Sequence, residues 1–468
     1  MATTTFRARA KVGGLAVALA MLSPALTTSA QAASPHGDHK SLSVRGPVIN
    51  SNFPDPDLLK VERVYHAYAT NDGGKNVQHQ TSTDLVHWTV QPDVAPTLGA
   101  WVKTTCTFTP GGATDRCVWA PEVSAVSGGY VLYYAARDAA SDKQCIGVSK
   151  SSSPNGPFVP VGTTPLICPV DQGGAIDPST YVENGQRYLL WKADGNCCNL
   201  PAIIYIQPTS ADGLTLTGPA VKLIQNDLPF EGRVVEAPTL IKHDGTYYLF
   251  YSANDFSGGN YKTGYATSNA LMGPYTKSLT PLMTTDRFRD KVIGPGGQDV
   301  ITGPNGNTVI VFHGWDPTYT YRAMYVRGLT WTNGVPAVEG LPVRYEAEKG
   351  VVVDARVLAD DTASGGAKVG GLDNPDSSVT VQVFAKKAGP ANLAVRFANG
   401  SLDPSGYPVN SSDYVSVNGA RVGTIVFWHT TWGNWQFADF NAVLHQGWNS
   451  VTLTKKTFYA EIDAVDVS

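Results

Sequence analysis

Five carboxylates recur along this chain, each a short distance ahead of a hydrophobic run. The acids lie eight to eleven residues before the runs and are Asp55, Glu122, Asp177, Glu236 and Asp299. The runs are Tyr-rich in four cases and begin at Tyr65, Tyr130, Tyr188, Tyr247 and Val309. Carboxyls gathered in one site can cleave a glycosidic bond, because one protonated carboxyl donates to the leaving oxygen while an ionised one activates water or attacks carbon. A third acid nearby can raise the pKa of the donor through like-charge repulsion.

The spacing of the runs predicts a repeated fold. Their starts lie about 60 residues apart, and shared turns recur between them at Gly156-Pro157-Phe158 and Gly273-Pro274-Tyr275. A repeat of this length that is rich in short strands is typical of the blades of a β-propeller. The first strand of every blade lines one central channel, so acids on those strands approach one another. We therefore expect a five-bladed β-propeller over residues 47–339.

When the inner strands are aligned on the proline that opens each of them, the acids differ in their position relative to that proline. Asp55 and Asp177 stand immediately before a proline, and Glu236 stands one residue earlier. Glu122 directly follows its proline, and Asp299 has none. A shift of one residue can turn a strand side chain to the opposite face, so Asp55, Asp177 and Glu236 are the stronger candidates. The structural alternative is that each acid caps a strand or turn, as Asp-Pro often does.

Composition narrows the classes of protein. Hydrophobic residues make up 42% of the chain and charged residues only 16%, a balance that suits a turn-rich β protein. The net charge is −4 and no basic block follows the N-terminus, which argues against nucleic acid or anionic membranes as partners.

Six cysteines fit an exported protein with disulfides. Cys106 and Cys117 flank one Gly-rich loop and form the easiest local bridge. We expect the adjacent Cys197 and Cys198 to reach two different partners rather than each other. Zinc is the alternative, but the chain has no CxxC pair with neighbouring histidines.

The N-terminus predicts export. Arg7, Arg9 and Lys11 precede an apolar stretch over residues 12–22, and small residues follow up to Ala33. This pattern is typical of a secretory signal peptide over residues 1–33, and the stretch is shorter than the ~20 apolar residues of a membrane anchor. We expect a secreted, extracellular monomer without a membrane or nucleic-acid partner.

The hydrophobic pattern of the chain changes after residues 341–344. Short alternating runs separated by Gly, Asn and Asp turns follow, at residues 379–384, 392–397, 413–417 and 450–454. This pattern predicts an antiparallel β-sandwich of jelly-roll type over residues 345–468. The whole chain is therefore expected to be all-β.

The inner-strand motifs resemble a known enzyme family. The motifs are Phe53-Pro-Asp55-Pro56, Trp119-Ala-Pro-Glu-Val123, Ala175-Ile-Asp177-Pro178 and Val235-Glu236-Ala-Pro238. In order and spacing they resemble glycoside hydrolase family 43, five-bladed propeller enzymes that act on arabinose- and xylose-containing plant polysaccharides. The resemblance implies that Asp55 is the general base and Glu236 the general acid. It also implies that Asp177 orients the general acid and adjusts its pKa. It also implies an inverting mechanism without a cofactor.

Three further positions follow from the resemblance. Trp119 resembles an aromatic residue that packs against the sugar, with a core tryptophan as the alternative. Arg322 resembles an arginine that hydrogen-bonds the substrate, with a surface salt bridge as the alternative. His313 resembles a histidine near the axis that sometimes lies beside calcium. The usual Gly-His pair reads Gly297-Gln298 here, so we expect no catalytic metal.

The predicted sandwich resembles carbohydrate-binding modules of families 6 and 35. The resemblance rests on Tyr345-Glu346-Ala-Glu348, Trp432-Gly-Asn-Trp435 and Glu461-Ile-Asp463. It implies a structural calcium ion held by Glu346, Glu348 and Asp463, because hard oxygen ligands suit calcium. Solvated acids at strand edges are the alternative. Trp432 is the candidate platform for stacking on a sugar.

These observations predict a secreted inverting glycosidase acting on plant cell-wall polysaccharide, foremost an α-L-arabinofuranosidase or arabinanase. A β-xylosidase or other xylan-active enzyme is the nearest alternative. A non-catalytic propeller lectin is an alternative from another class, but a lectin has no need of the three acids. A fructan- or sucrose-active propeller would carry an Asn-Asp-Pro type motif, which Phe53-Pro-Asp55-Pro56 does not match.

Overall fold

Five four-stranded sheets arranged in a ring form the first part of the molecule. The computed structural model describes residues 46–105 and 117–468, so the predicted signal peptide and Cys106 lie outside the described residues. The first strands of the five sheets neighbour one another in a closed cycle. Ile49, ahead of the first sheet, pairs with Met324 of the last. The predicted five-bladed propeller is confirmed.

Each blade is an antiparallel sheet whose strands follow chain order. Blade one contains β1 (Asp57–Val61), β2 (Val64–Ala69), β3 (Gln78–Ser82) and β4 (Thr89–Val90). Blade two contains β5 (Trp119–Val126), β6 (Gly129–Arg137), β7 (Gln144–Ser151) and β8 (Val159–Pro160). Blade three contains β9 (Ala175–Glu183), β10 (Gln186–Ala193), β11 (Ile203–Thr209) and β12 (Val221–Gln225). Blade four contains β13 (Val235–His243), β14 (Thr246–Ala253), β15 (Lys262–Ser268) and β16 (Thr276–Lys277). Blade five contains β17 (Ile293–Thr302), β18 (Thr308–Trp315), β19 (Arg322–Thr332) and β20 (Val335–Val338).

The hydrophobic runs are the second strands of the blades, β2, β6, β10, β14 and β18. Their apolar side chains are buried between neighbouring blades, which explains why each run is nearly continuous rather than alternating. Five short 3-10 turns are the helical elements of the described residues: Val170–Gln172, Gly195–Cys198, Pro229–Glu231, Ala347–Lys349 and Ser364–Gly366.

A left-handed residue lies near the start of the inner strand of every blade, just before β1 in blade one and within the strand in the other four. The φ angle is 54° at Asp55, 41° at Ala120, 55° at Asp177, 47° at Ala237 and 56° at Gly297. In blades two to five the pairing with the second strand is interrupted at this point, as in a β-bulge. Non-glycine residues rarely adopt this conformation, so its recurrence indicates a kink required at the channel.

The second part of the molecule is a β-sandwich, as predicted. Its strands are β21 (Val343–Glu346), β22 (Val351–Val353), β23 (Arg356–Ala359), β24 (Ala367–Gly370), β25 (Ser378–Ala385), β26 (Gly389–Ala398), β27 (Ser411–Val417), β28 (Ala420–Phe427), β29 (Gln436–Leu444), β30 (Gly447–Thr457) and β31 (Glu461–Val467). One sheet has the order β23-β24-β31-β26-β29 with β21 paired to β31, and the other has the order β22-β25-β30-β27-β28. A single apolar core lies between them, built around Phe397, Phe427 and Leu453.

Ion pairs join the sandwich to the propeller. Asp286, between blades four and five, lies 3.2 Å from both Arg344 and Arg396 of the sandwich. Burial alone would raise the pKa of Asp286, but the two guanidinium groups hold it well below its usual range. The Thr280 hydroxyl donates a hydrogen bond to Glu346 at 2.8 Å.

The disulfide bonds differ from expectation at one place. Cys145 is bonded to Cys168, and Cys197 is bonded to Cys198. The expectation that Cys197 and Cys198 reach different partners was wrong, because the 3-10 turn Gly195–Cys198 brings the two adjacent thiols together. Among the described residues, no helix has the length and apolar character needed to cross a membrane.

Candidate active site

The propeller axis contains a cavity of about 40 Å³ lined by the inner strands of all five blades. Two tiers of acids lie at this axis, and all of them except Glu236 line the cavity itself. The upper acids stand at or just before the left-handed residues and are Asp55, Asp177 and Glu236. The lower acids stand two residues after those positions and are Asp57, Glu122 and Asp299.

Asp55 is held from three directions. The Thr70 hydroxyl donates to Asp55 Oδ2 at 2.6 Å, and Arg322 approaches Oδ1 at 3.3 Å. The Asp55 backbone N–H donates to His313 Nδ1 at 3.0 Å, so this nitrogen carries no proton. The side chain of Asp55 retains about a fifth of its exposure (21%), which leaves it open to the channel. A fixed carboxylate facing the cavity can accept a proton from water.

Asp177 is tied to the blade that carries Glu236. Its Oδ2 accepts a hydrogen bond at 2.8 Å from the N–H of Ala237, the residue that follows Glu236. Burial raises the pKa of Asp177 well above its usual value, and the neighbouring Glu236 charge adds to the effect. Asp177 is therefore hydrogen-bonded to the residue that follows Glu236, and its carboxyl lies close to that of Glu236.

Glu236 is reached by donors on both carboxyl oxygens. The Tyr261 hydroxyl donates to Oε1 at 2.8 Å, and the Lys192 ammonium donates to Oε2 at 2.8 Å. The Glu236 side chain is 12% exposed, whereas that of Lys192 is 1% exposed. Both oxygens of the Glu236 carboxyl are thus hydrogen-bonded, while a small part of the side chain remains accessible.

The sequence reasoning missed Lys192, Tyr261 and Thr70. For Lys192 a signal existed, since a charge within the apolar run over residues 188–193 indicates a buried ion pair. Tyr261 and Thr70 carry no comparable signal, because tyrosines and threonines are frequent in every blade.

The lower acids connect neighbouring blades. Asp57 of blade one accepts the N–H of Val123 in blade two at 2.8 Å. Glu122 of blade two accepts the N–H of Thr180 in blade three at 3.0 Å. Asp299 of blade five accepts the N–H of Leu58 in blade one at 3.0 Å. Glu122 and Asp299 thus bridge neighbouring blades through backbone N–H groups, and Asp177 does the same with Ala237.

Burial governs the protonation of the lower acids. It raises the pKa of Asp57 well above its usual value, with the charges of Glu122 and Asp299 adding to the effect. It raises the pKa of Glu122 to about 7 and that of Asp299 to about 6. At neutral pH this tier therefore keeps at least part of its protons.

The other predicted positions lie around the upper acids. Trp119 holds in blade two the position of Glu236 in blade four, one residue before the left-handed residue, and is partly exposed. Arg322 lies beside Asp55, with Phe256 and Trp315 rings 5.1 and 5.7 Å from its guanidinium carbon. His313 is fully buried behind Asp55, and burial lowers its pKa well below the usual value. It contacts Asp55 rather than the open channel.

Three acids of the sandwich, Glu346, Glu348 and Asp463, are largely buried. Glu348 is 3% exposed, and its nearest cation is Lys349 at 3.7 Å from Oε1, while neither of its carboxyl oxygens nor Asp463 Oδ1 has a hydrogen-bond partner. The Ser364 hydroxyl lies within 2.8 Å of both Glu346 Oε2 and Asp463 Oδ2. Orphaned buried carboxylate oxygens are the hard donors that calcium prefers.

Trp432 lies at one end of the sandwich. It is 42% exposed, and its ring is stacked on Tyr459 with centroids 5.4 Å apart.

The inner strands of this five-bladed propeller bring Asp55, Asp177 and Glu236 together, and such a set of carboxyls suits hydrolysis of a glycosidic bond. The sequence model described as "Glycosyl hydrolases family 43" matches residues 44–336. The chain belongs to this family and is a glycosidase.

Individual relatives agree with this assignment. The chain is 28% identical over 303 residues to an extracellular endo-α-(1→5)-L-arabinanase of Bacillus subtilis, covering 62% of this chain and 88% of that protein. Its structure is similar to that of a thermostable family-43 glycoside hydrolase, with 28% identity, a TM-score of 0.55, and coverage of 64% and 96% of the two chains. It is also similar to an endo-1,4-β-xylanase of Bacteroides thetaiotaomicron, with 25% identity, a TM-score of 0.51, and coverage of 63% and 96%.

Proposed function

We propose that this protein is a secreted, inverting glycosidase that cleaves α-L-arabinofuranosyl linkages in plant cell-wall polysaccharide. The observation that carries the proposal is the set of three upper acids, each held by its own partners at the mouth of one channel. Similarity to a named arabinanase supports arabinan as the substrate class. The apolar, basic-flanked N-terminus and the extracellular relative support secretion.

The proposed mechanism assigns one task to each upper acid. Asp55 takes a proton from a water molecule, which then attacks the anomeric carbon. Glu236 gives its proton to the leaving glycosidic oxygen on the opposite side of the sugar. Asp177 fixes the position of Glu236 through the Ala237 N–H. Arg322 and Trp119 are proposed to contact the sugar, and His313 supports Asp55.

The enzyme assay tests this proposal directly. Purified protein is offered p-nitrophenyl α-L-arabinofuranoside and β-D-xylopyranoside, then debranched arabinan and arabinoxylan, with Glu236→Gln and Asp55→Asn as inactive variants. We expect arabinoside turnover that both substitutions abolish, and proton NMR should show the product anomer opposite to that of the substrate. Retention of configuration would contradict the assigned roles. Polysaccharide binding without any turnover would support the lectin alternative.

A xylan-active enzyme is the second candidate, favoured by similarity to the Bacteroides endo-1,4-β-xylanase. The same assay separates the two, since preference for the xyloside and for arabinoxylan over arabinan would name this alternative.

We further propose that residues 345–468 form a carbohydrate-binding module stabilised by calcium. Glu346, Glu348 and Asp463 would hold the ion, and Trp432 would stack on a sugar ring. Calcium should raise the thermal midpoint of the wild-type protein but not that of Glu348→Gln. Trp432→Ala should weaken retention on insoluble polysaccharide without changing the turnover of aryl glycosides. An unchanged midpoint on calcium addition would contradict the metal site.

A further inference from the structure

The general acid proposed above lies against a buried lysine. Lys192 is on the second strand of blade three and extends toward Glu236 on the first strand of blade four. Its ammonium lies 2.8 Å from Glu236 Oε2 and 3.0 Å from Asp194 Oδ1. Burial alone would lower the pKa of Lys192, but the Glu236, Asp194 and Asp177 carboxyls outweigh it and raise the pKa, so the lysine stays charged.

A buried cation has two effects on a neighbouring carboxyl. Its hydrogen bond fixes the carboxyl in one orientation, and its charge favours the ionised form. The second effect opposes the task of a proton donor, because a donor must hold its proton until the leaving group departs. The ion pair therefore shapes the pH range in which the site can donate.

Other charged and titratable groups face the same carboxyl. Tyr261 donates to Glu236 Oε1, and its own pKa is raised well above the usual value by burial and by the charges of Glu236, Asp177 and Asp55. Burial and the neighbouring Glu236 charge raise the pKa of Asp177, and the Lys192 charge acts against them. Arg322 lies on the far side of the site, beside Asp55. Lys192 is the cation hydrogen-bonded to Glu236 among the described residues.

We propose that Lys192 is a positioning residue for the general acid, whose buried ammonium fixes the Glu236 carboxyl and sets the pH above which the site loses its donor proton. This inference rests on the proposed roles of Glu236 and Asp177. Asp194 completes the arrangement by neutralising the second side of the ammonium, which lets a lysine be buried there at all.

The kinetic test uses Lys192→Met, which keeps the length of the side chain and removes the charge. We expect the alkaline limb of the kcat profile to move upward by roughly one to three pH units, since loss of a nearby cation lets carboxyls keep their protons longer. For an arabino-oligosaccharide, whose leaving group needs protonation, kcat at neutral pH should fall about 100-fold. For a dinitrophenyl arabinoside, which needs little protonation, kcat should change far less.

Two further variants show whether a loss of activity in Lys192→Met comes from a disturbed fold. Lys192→Met/Asp194→Asn removes the lysine together with its second partner, so that no unpaired Asp194 is left buried. Lys242→Met is the matched control, because Lys242 bonds Glu183 at 2.8 Å and the Tyr247 hydroxyl at 3.0 Å at the other end of the same strand as Glu236. The control should match the wild-type protein in both the pH profile and the leaving-group dependence.

A readout without substrate separates this inference from the proposed function. Infrared difference spectroscopy follows the protonated carboxyl band that Glu236→Gln removes, and its titration midpoint should lie at higher pH in Lys192→Met than in the wild type. Coincident titration curves, or equal losses of kcat for both leaving groups, would overturn the inference. If no glycoside is turned over, the proposed function fails while the infrared titration still decides the role of Lys192.

Discussion

At the scale of single residues, the proposed catalytic carboxyls are held by neutral hydrogen-bond donors as well as by charged groups. Thr70 is the clearest case, because its hydroxyl donates to Asp55 at 2.6 Å while accepting the N–H of Ala120 at 2.9 Å. One side chain thus links the proposed base to the kink of the next blade.

We expect Thr70→Val, which preserves shape but removes the hydroxyl, to lower kcat about tenfold with little change in KM. The lost hydrogen bond fixes a group that acts in the transition state rather than in substrate binding. Steady-state kinetics on an aryl arabinoside measures the effect, with Thr81→Val on the same blade as control. A rise in KM at constant kcat would assign Thr70 to substrate binding instead.

The sequence predicts the upper acids but not what surrounds them. Asp55, Asp177 and Glu236 are found because they stand at fixed offsets from a recurring proline. Asp57 could have been found by the same alignment, since it directly follows Pro56 as Glu122 follows Pro121. Tyr261 could not have been found in this way, because its contact with Glu236 depends on the conformation of the loop that precedes β15.

At the scale of elements, the kinked inner strand makes the site possible. In a regular strand, side chains alternate between two faces, and this alternation alone would set the positions of the upper and lower acids. The left-handed residue interrupts the alternation and separates the acids into two tiers. Alanine occupies this position in blades two and four, but blade five has Gly297. A Cβ there would lie 2.5 Å from the His313 ring and 3.1 Å from Asp55 Oδ1.

Gly297→Ala should therefore destabilise the protein by about 1–3 kcal/mol and lower kcat at least about tenfold, because overpacking displaces the base. Gly306→Ala is the matched control, since Gly306 is also left-handed but has open space where its Cβ would lie. Thermal unfolding and kcat measured on both variants separate overpacking from backbone strain. Equal effects in the two variants would attribute the loss to strain alone.

The lower acids make the stability of the inner strands pH-dependent. A carboxyl whose pKa is raised in the fold binds its proton more tightly there than in the unfolded chain, so its stabilising contribution is present below its unfolded pKa and lost as pH rises. For Glu122 the window runs from about 4.5 to about 7.

Glu122→Gln keeps the acceptor for Thr180 and removes the ionisation. We expect it to raise the free energy of unfolding by about 2 kcal/mol at pH 8 relative to the wild type, and to lose this advantage near pH 4. Urea unfolding at the two pH values measures the difference. An advantage that is independent of pH would show that Glu122 is not the titrating group.

At the scale of the whole molecule, a charged contact joins the sandwich to the propeller. Neither part of the sequence predicts this contact. Asp286 bonds Arg344 and Arg396, which also bond Asp466 and Asp463 within the sandwich. Sequence patterns predict each part because strand periodicity is local. They do not predict the contact, because it pairs residues far apart in the chain.

We expect Asp286→Asn to lower the free energy of unfolding by about 1–2 kcal/mol, since two guanidinium groups lose a shared partner but keep their own. Asp286 is about a third exposed (34%), so solvent screening keeps the loss below that of a fully buried pair. Asp373→Asn, which removes an exposed partner 4.0 Å from Arg356, is the control and should change little. If the contact transmits stability between the two parts, calorimetry should show one transition for the wild type and two for Asp286→Asn. A single transition at an unchanged midpoint would mean that the apolar cores of the two parts, rather than this ion cluster, make unfolding cooperative.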